Sequence, residues 1–511
     1  MDKIRFYRAQ ADVQARLDVH VFKKKVAELR WVKAVWLCLA IFWLFGLGPT
    51  ADSKPLVNLT LWTNQRYMGD LIEELVDEFN ATTGFQKGIR LSLRILGDDS
   101  WNLFQEAQQN EVGPDLYSSG LTRYSDPFKE GARICLDDFP DFQTWKQNWP
   151  SWYWIEGLTA YKGHVYAIPT QVLNSRLIYN KDLFRAAGLD PARPPRSYQE
   201  LRQIAKRITA RCRNCYGFAY GGAESWPMEW MPSQWAEANG DPAYWDWEHG
   251  KWAIKGYERV FQLLLDLQKD GSLFPGAAIL TNDALRAQFA EGRIGMFMGE
   301  FWDVGVLNTQ FPTKCNWGVA PIPTFDGNFH GKSRAMLISG FWYINGQCQH
   351  KFEAWEVVKW FDRYEIRTKM YEHGKCIDPD PRVAGEFVTK QPMVQGFEAF
   401  AGNWFDAKQP MVQGAGPFDG TLNQDYLATY PNLPGWEAPR SNPCTVFRDI
   451  LIQGGNLKNK LNLLDYLWNS ALDEYFSKKP EVKRGWNIYP QFDRRFGKRG
   501  QPLLKPVFSS K

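Results

Sequence analysis

Polar side chains stand directly after two segments whose residues alternate as β-strands do. Asn64 and Arg66 follow the first segment, and Ser119 and Arg123 follow a later one. Amide, hydroxyl and guanidinium groups that converge in one place can hydrogen-bond a polar ligand and fix its orientation. For each of these side chains, a solvated loop or a helix cap is the plain alternative.

Aromatic rings are the second unusual feature of the sequence. The 511 residues include 24 Trp, 33 Phe and 21 Tyr. Their flat apolar faces are suited to recognition, although core packing is the better default interpretation of any single ring.

Signatures of catalysis and of metal binding do not emerge from the sequence. It contains no G-x-S-x-G, H-E-x-x-H or phosphate-loop motif, and its six His residues share no metal spacing. Cys212 and Cys215 form a C-x-x-C pair without a second pair, so a local disulfide or two thiols is favoured over zinc. We therefore predict no catalytic residue, no metal ligand and no cofactor. A secreted glycoside hydrolase stays the less favoured alternative, because no pair of acids is marked by spacing.

Elements that would position the polar side chains can be recognised from periodicity. The segment 56–63 alternates as a strand, Leu71 to Phe79 has helical spacing, and 89–96 alternates again. A helix over 101–110 and a third strand from Pro114 complete a β-α-β-α-β order, which favours a parallel sheet. Ligands bind beyond the carboxyl ends of the strands in such sheets, and the residues after strands one and three lie there.

The N-terminus indicates export. Residues 34–51 carry no charge, and the 33 residues before them hold nine Lys or Arg against four acids. This bias predicts a cytoplasmic tail and an extracytoplasmic chain after Asp52. An uncleaved signal anchor is favoured over a cleaved signal peptide, because the basic tail is long and no good cleavage site follows. The formal net charge of +4 excludes the strongly basic footprint of a nucleic-acid-binding protein.

Six segments, in this order, resemble the family 1 extracellular solute-binding proteins of ABC importers, the class that includes maltodextrin-binding proteins. They are Phe79-Asn80-Ala81-Thr82-Thr83-Gly84, Gly113-Pro114-Asp115-Leu116, the run 161–169, the run 179–189, the run 289–299 and Asn316-Trp317-Gly318-Val319-Ala320-Pro321-Ile322-Pro323. The resemblance implies an α/β fold of the two-lobed periplasmic-binding-protein type (type II). Each lobe would be a mostly parallel sheet flanked by helices, and crossing segments would form a hinge.

The resemblance also implies how the chain is divided. Crossings are expected near Pro169 to Asn174, Val319 to Pro323 and Tyr364 to Gly374. Lobe one would comprise 55–168 plus 285–320, and lobe two would comprise 172–284 plus 321–370. The region 371–511 would be a helical extension that packs near the hinge, following the tail 1–33 and the membrane segment 34–51.

Ligand-contacting residues follow from the same resemblance. The aromatic candidates are Trp226, Trp230, Trp302 and Trp342, and the further polar candidates are Asn174 and Glu224. Glu300 and Asp303 flank Trp302 and could bond hydroxyl groups, with exposed charge as an equal alternative. Ser339, Gly340 and Trp342 are expected where lobe two faces the cleft.

The expected function is therefore binding of a carbohydrate, with an oligosaccharide favoured, and its delivery to ABC permease subunits in the membrane. The protein would be a monomer that binds no nucleic acid. A ligand sensor for a signalling partner and a binder of a non-sugar solute are the alternatives.

Overall fold

The computed structural model describes residues 55–97, 99–118, 131–149, 153–154, 159–223, 225–328, 333–339, 342–380, 382–383, 425–428, 433, 435–482 and 484. Side chains are not described for 225–229, 333–339 and 425–428. The predicted tail and membrane segment lie outside these residues. Within them, no helix combines the length and the apolar content that a membrane crossing requires. The chain divides into two units at Val57, and the elements described below belong to the second unit.

The described strands are β1 Val57–Thr63, β2 Ile89–Ile95, β3 Leu116–Tyr117, β4 Ala160–Tyr161, β5 His164–Val165, β6 Pro169–Leu173, β7 Ser175–Asn180, β8 Tyr244–Asp246, β9 Lys251–Ala253, β10 Met296–Glu300, β11 Trp317–Ala320, β12 Ser333–Ser339, β13 Tyr343–Ile344 and β14 Asp425–Ala428. The helices are α1 Asp70–Phe79, α2 Phe85–Lys87, α3 Ser100–Gln109, α4 Phe142–Lys146, α5 Lys181–Ala186, α6 Tyr198–Arg211, α7 Ser225–Ala238, α8 Glu258–Lys269, α9 Asn282–Ala290, α10 Trp302–Gly305, α11 Lys351–Phe361, α12 Tyr364–Glu372, α13 Pro443–Gln453 and α14 Leu457–Lys478.

The first sheet confirms the predicted β-α-β-α-β unit. Its strand order is β13-β3-β1-β2, and β1 pairs in parallel with both β2 and β3. Alternate residues of β1, including Leu59 and Leu61, are fully buried. Helix α1 buries its apolar face on this sheet, and the ring of Phe79 at its end meets Trp360 of α11 edge-on. The carboxyl ends of β1 and β3 therefore lie side by side, as the strand-end argument requires.

The second sheet has the strand order β10-β7-β11, and both outer strands run antiparallel to β7. The expectation of a mostly parallel sheet is wrong for these pairs. It also follows that 285–320, predicted for lobe one, contributes β10 and β11 to the sheet of β7. Conversely, β13 lies within 321–370, predicted for lobe two, but pairs with β3 of the first sheet. The pairings of β10, β11 and β13 thus differ from the sequence-based division, because strand pairing over long separations leaves no local periodicity to read. The start of 321–370 does not follow β13, since Thr324 exchanges backbone hydrogen bonds with Arg196 and Tyr198 at the start of α6.

A third sheet has the strand order β14-β12-β6, and none of its strands pairs with the first or the second sheet. Strand β6 pairs antiparallel with β12, and β12 pairs in parallel with β14. The backbone N–H of Val172 in β6 donates to the carbonyl of Ile377 at 2.8 Å. The segment that leads into β7 is therefore fixed to the chain that follows α12.

Sequence features mark several helix ends. Ser197 and Glu200 form a capping box at the start of α6, and Cys212 at its end is joined to Cys215 in a disulfide, one of the two states favoured from the sequence. Helix α13 ends at Gln453, and α14 begins at Leu457. Gly454 and Gly455 separate these helices with φ values of 77° and 135°, which glycine adopts most easily.

Much of the aromatic excess lies in the core. Trp235, Trp245 and Trp252 are 0–3% exposed. The ring of Trp252 meets Trp468 of α14 edge-on at 5.0 Å, and the backbone N–H of Trp252 donates to Asn469 Oδ1 at 2.9 Å. The described part of the C-terminal region therefore packs on β9 and the residues around it.

Candidate functional site

The end of β1 carries the first predicted polar side chains. Asn64 is half-buried, and its Oδ1 accepts a hydrogen bond of 3.4 Å from Ser118 Oγ at the end of β3. Because β1 and β3 are neighbours in a parallel sheet, this contact joins two strand ends. It places Asn64 at the sheet edge that the topology predicts for a ligand.

Arg66 lies one turn further on and connects the first sheet with the second. Its Nη2 donates to Asp283 Oδ2 of α9 at 2.7 Å. Asp283 Oδ1 also accepts from Arg286 Nη1 at 3.0 Å, and Arg286 Nε donates to Asp303 Oδ1 at 2.6 Å. Alternating charges thus run from the end of β1 to the start of α10, the helix that follows β10.

Tyr67 ties the same strand end to the segment before β7. Its hydroxyl donates to Gln171 Oε1 of β6 at 3.0 Å, and its ring meets Phe301 edge-on at 6.0 Å. Burial raises the pKa of the Tyr67 hydroxyl, so this group stays a neutral donor. The backbone N–H of Phe301 donates to the carbonyl of the fully buried Asn174 at 3.3 Å.

Glu300, the last residue of β10, is fully buried among neutral donors. Its Oε1 accepts from Gln234 Nε2 of α7 at 2.9 Å, and the indole of Trp230 is a second hydrogen-bond partner. Burial, and then the neighbouring Asp303, raises the pKa of Glu300 well above its usual range. Burial likewise raises the pKa of Asp303, against the opposing effect of Arg286. Both side chains are buried, so the alternative of exposed charge is wrong.

The tryptophan candidates fall into two groups. Trp302 is half-buried, begins α10 and lies edge-on to Phe301 with ring centroids 5.7 Å apart. Trp230 is 6% exposed and lies by Glu300. Trp342 is 5% exposed, precedes β13 of the first sheet and packs its ring 4.6 Å from Phe361 of α11. Its expected place on lobe two is therefore wrong.

The other candidates cannot be placed. Ser119, Arg123, Glu224 and Gly340 lie outside the described residues, as do the side chains of Trp226 and Ser339.

The described candidates apart from Trp342 lie at the end of β1 or close to the end of β10, and the ring contact of Tyr67 with Phe301 joins the two places. We call this group the strand-end junction. Its defining residues are Asn64, Arg66, Tyr67, Asn174, Trp230, Glu300 and Trp302. Of these residues, Tyr67 was not a named ligand-contacting candidate; the sequence shows only that it follows strand one. Gln171, Gln234, Asp283 and Arg286 are further members that the sequence did not indicate. The spacing of Asp283 and Arg286 one helical turn apart was the one signal available for them.

The chemistry of the strand-end junction is suited to neutral, hydroxylated molecules. Aromatic rings stand beside amide groups and the carboxyl group of Glu300, whose pKa is raised by burial. Rings can stack on the C–H face of a sugar, and amides can bond adjacent hydroxyls. The two buried carboxyl groups have internal partners, and Asp303 accepts from both Arg286 and the backbone N–H of Glu300.

A separate groove of about 980 Å³ lies between α6 and α8. Its lining is mixed in charge, with Arg202, Lys206, Arg259 and Asp266 among its residues. It includes no member of the strand-end junction.

Comparison with protein families gives a match over most of the described region. The model of the family described as bacterial extracellular solute-binding protein matches residues 64–362, which is more than half of the chain.

Curated relatives match over a shorter stretch. The sn-glycerol-3-phosphate-binding periplasmic protein UgpB of Agrobacterium fabrum is 25% identical over 234 residues, which cover 43% of this chain and 50% of that protein. Its counterpart in Brucella abortus is 26% identical over 233 residues, covering 43% and 51%. The chain thus spans about half the length of these curated relatives.

Solved structures match over most of both chains. An ABC transporter solute-binding protein from Thermotoga lettingae, bound with α-D-tagatose, has a TM-score of 0.60 at 20% identity and covers 81% of this chain and 100% of its own. The GacH receptor of Streptomyces glaucescens has a TM-score of 0.62 at 16% identity, covering 83% and 100%. The maltose/maltodextrin-binding domain MalE of Bdellovibrio bacteriovorus, bound to maltotriose, has 0.59 at 15%, covering 82% and 99%. This likeness confirms the predicted α/β, type II periplasmic-binding-protein fold.

Proposed function

The chain belongs to the family of bacterial extracellular solute-binding proteins, and from that membership we propose that it binds a carbohydrate for an ABC importer. An oligosaccharide is the favoured ligand. The bound sugar would be released unchanged to the permease subunits in the membrane, so the cycle needs no covalent step.

The observation that carries this proposal is the composition of the strand-end junction. Half-buried Trp302 lies edge-on to Phe301, whose ring also meets Tyr67 after β1, and the half-buried amide of Asn64 lies at that same end of β1. A hydroxyl-rich ligand satisfies such groups, and an ill-fitting one leaves buried polar atoms unpaired. Structural neighbours bound to tagatose and maltotriose support the same ligand class.

The proposed mechanism is closure of two lobes around the ligand. Lobe one would be built on the first sheet, with β13, and lobe two on the second sheet, with β10 and β11; the strand pairings support this assignment. The hinge would lie at the predicted crossings, of which β6 is the first. A ligand that contacts both lobes binds the closed form more tightly and shifts the equilibrium toward it. The protein would act as a monomer.

We place the protein outside the cytoplasm, as the family name states, and propose that residues 34–51 tether it to the membrane. The uncharged run and the basic residues before it support the tether. N-terminal sequencing of protein extracted from membranes tests this directly. A chain that begins near residue 50 would refute retention of the segment.

A second candidate ligand is sn-glycerol-3-phosphate, which the curated relatives are named for. A phosphate ligand requires positive charge that is not already compensated. Arg66 at the strand-end junction is paired with Asp283 at 2.7 Å, so its charge is shared before any ligand arrives. This pairing favours the neutral sugar over the phosphate ester.

Calorimetric titration with a panel of mono- and oligosaccharides and with sn-glycerol-3-phosphate decides between the two ligands. We expect saturable 1:1 binding of at least one sugar and silence with the phosphate ester. Binding of the phosphate ester alone, or of a peptide or cation in place of every sugar, would overturn the carbohydrate proposal. Turnover of a glycan into products would favour the hydrolase alternative.

A further inference from the structure

A thiol, a carboxylate and an imidazole come together in a part of the fold that the strand-end junction does not include. They belong to Cys135, to Asp137 in the short turn Leu136–Asp138, and to His164, the first residue of β5. Cys135 Sγ lies 3.6 Å from Asp137 Oδ2, and His164 Nδ1 lies 3.8 Å from the same oxygen. All three potential ligand atoms lie within 4.8 Å of one another.

These separations are close to those of a tetrahedral zinc site. With Zn–S near 2.3 Å and Zn–N and Zn–O near 2.0 Å, neighbouring ligand atoms in a tetrahedron are about 3.3–3.5 Å apart. The 3.6 Å and 3.8 Å separations exceed this range by a few tenths of an ångström, which small side-chain rotations can remove. Cys135 and Asp137 are half-buried and the side chain of His164 is 61% exposed, so a fourth position faces solvent.

The surroundings of Asp137 hold its carboxylate in place. Its Oδ2 accepts from the backbone N–H of Val165 at 2.7 Å, and its Oδ1 accepts from Gln143 Nε2 at 2.8 Å. Such outer hydrogen bonds orient a ligating carboxylate and leave lone pairs for a cation. Asp138 adds a further negative charge near the thiol. The ammonium group of Lys146 interacts electrostatically with Asp137 and Cys135.

We propose that Cys135, Asp137 and His164 form a Zn²⁺-binding site with three protein ligands and a fourth position open to water. One thiolate and one carboxylate neutralise the dication, and the neutral imidazole completes a donor set that borderline-soft Zn²⁺ prefers over Ca²⁺ or Mg²⁺. The ion would clamp the β4–β5 hairpin to the turn that contains Asp137, just before β6. The site is independent of the sugar ligand.

A second group of possible ligands, Asp246, Glu248 and His249, is a weaker candidate. It lies within four consecutive residues, and Asp246 Oδ1 already accepts from the backbone N–H groups of Glu248 and His249. That pattern is an ordinary turn, and it contains no thiol. It supplies a useful internal control instead.

Titration of the purified, tag-free full chain with Co²⁺ tests the proposal, with Zn²⁺ as competitor. We expect one equivalent of Co²⁺ to produce a sulfur-to-cobalt charge-transfer band in the near ultraviolet, and Zn²⁺ to abolish it. Cys135→Ser should remove the band, and His164→Gln should weaken Zn²⁺ binding at least about tenfold. Cys315→Ser, which alters another half-buried thiol, and His249→Gln should leave the band unchanged.

The site would be overturned by no binding of Co²⁺, by binding without the charge-transfer band, or by a band that persists in Cys135→Ser. His164→Gln guards against misfolding of the cysteine variant, because His164 is mostly exposed and its replacement should preserve the fold. If this folded variant binds Zn²⁺ as tightly as the parent protein, His164 is not a ligand and the proposal is wrong.

Discussion

Glu300 is a carboxylic acid whose neutral form is favoured by its surroundings in the fold. It is fully buried, and its pKa is raised by burial and by the adjacent Asp303. A group whose pKa is higher in the folded than in the unfolded protein contributes stability at low pH. That contribution is lost as the pH rises from the unfolded value of about 4.3 toward the folded value.

Replacement of Glu300 by Gln should therefore change how stability depends on pH. From pH 5 to pH 7, the free energy of unfolding of the parent protein should fall relative to that of Glu300→Gln, because the variant has no proton to lose. Urea denaturation at pH 5, 6 and 7 measures both proteins. A constant difference across this range would show that Glu300 has an ordinary pKa.

Variants of two tryptophans, Trp302 and Trp342, distinguish ligand binding from core packing. Trp302 is half-buried at the end of β10, whereas Trp342 packs its ring against Phe361. We expect Trp302→Ala to weaken binding of the sugar identified by calorimetry by about tenfold or more, which corresponds to about 1.4 kcal/mol. Trp342→Phe should lower the unfolding temperature and leave the dissociation constant unchanged. The reverse pattern would place the ligand away from the strand-end junction.

Some residues of the strand-end junction could be predicted from the sequence and others could not, for a physical reason. Asn64 and Arg66 could be predicted because strand ends in a parallel sheet share one edge, and that depends only on local periodicity. Gln171 and Gln234 could not, because their partners Tyr67 and Glu300 are brought to them by tertiary packing. The burial of Glu300 was equally hidden, since its neighbours Gly299 and Phe301 suggest a turn as readily as a core.

Helix α12 carries an ionic network that is buried between elements of the fold. Arg367 is fully buried, and it donates to Asp362 Oδ1 at 2.6 Å and to Asp378 Oδ1 at 2.6 Å. Its Nη2 also donates to the carbonyl of Pro169 in β6 at 3.3 Å. One guanidinium thus joins α12, the chain after it and the start of β6, two of the predicted crossings.

Removal of that guanidinium should destabilise the protein severely. Arg367→Met leaves buried carboxyl groups without their cation, and breaking such a pair typically costs about 3–5 kcal/mol. Arg185→Met is the matched control, because Arg185 pairs with Asp182, both side chains are about half exposed (52% and 50%), and the loss should be about 1 kcal/mol or less. Urea denaturation compares the two. Equal losses would mean that the network adds nothing beyond a surface pair.

Elements of the first sheet followed from sequence because each strand and helix has a clear period and neighbours in the chain are neighbours in space. The second sheet did not. Strands β10 and β11 pair with β7 across more than a hundred residues, and nothing in their own residues specifies that partner. Gly454 and Gly455 indicate in the sequence the break between α13 and α14, although apolar residues have helical spacing on both sides of it.

At the scale of the whole molecule, the contacts that join the two sheets combine strong and weak interactions. The buried partners of Arg367 and the hydroxyl of Tyr67 fix the chain near β6, while Arg66 and Asp283 form a pair whose side chains are 34% and 20% exposed. A partly exposed ion pair contributes about 1 kcal/mol or less and is easily exchanged for solvent. This distribution is suited to a protein that opens at the Arg66–Asp283 pair and stays connected near β6.

Binding of the sugar should therefore make the protein more compact. Moving a two-state equilibrium from 1:99 to 99:1 requires about 10⁴-fold tighter binding to the closed form, which a ligand gains only by contacting both lobes. Small-angle X-ray scattering should show a smaller radius of gyration with saturating sugar than without it, and no change with a sugar that calorimetry shows not to bind. Trp302→Ala, at the same sugar concentration, should stay at or near the unliganded value. A sugar that binds tightly yet leaves the radius unchanged would show that it contacts one lobe alone, and closure would then not be the mechanism.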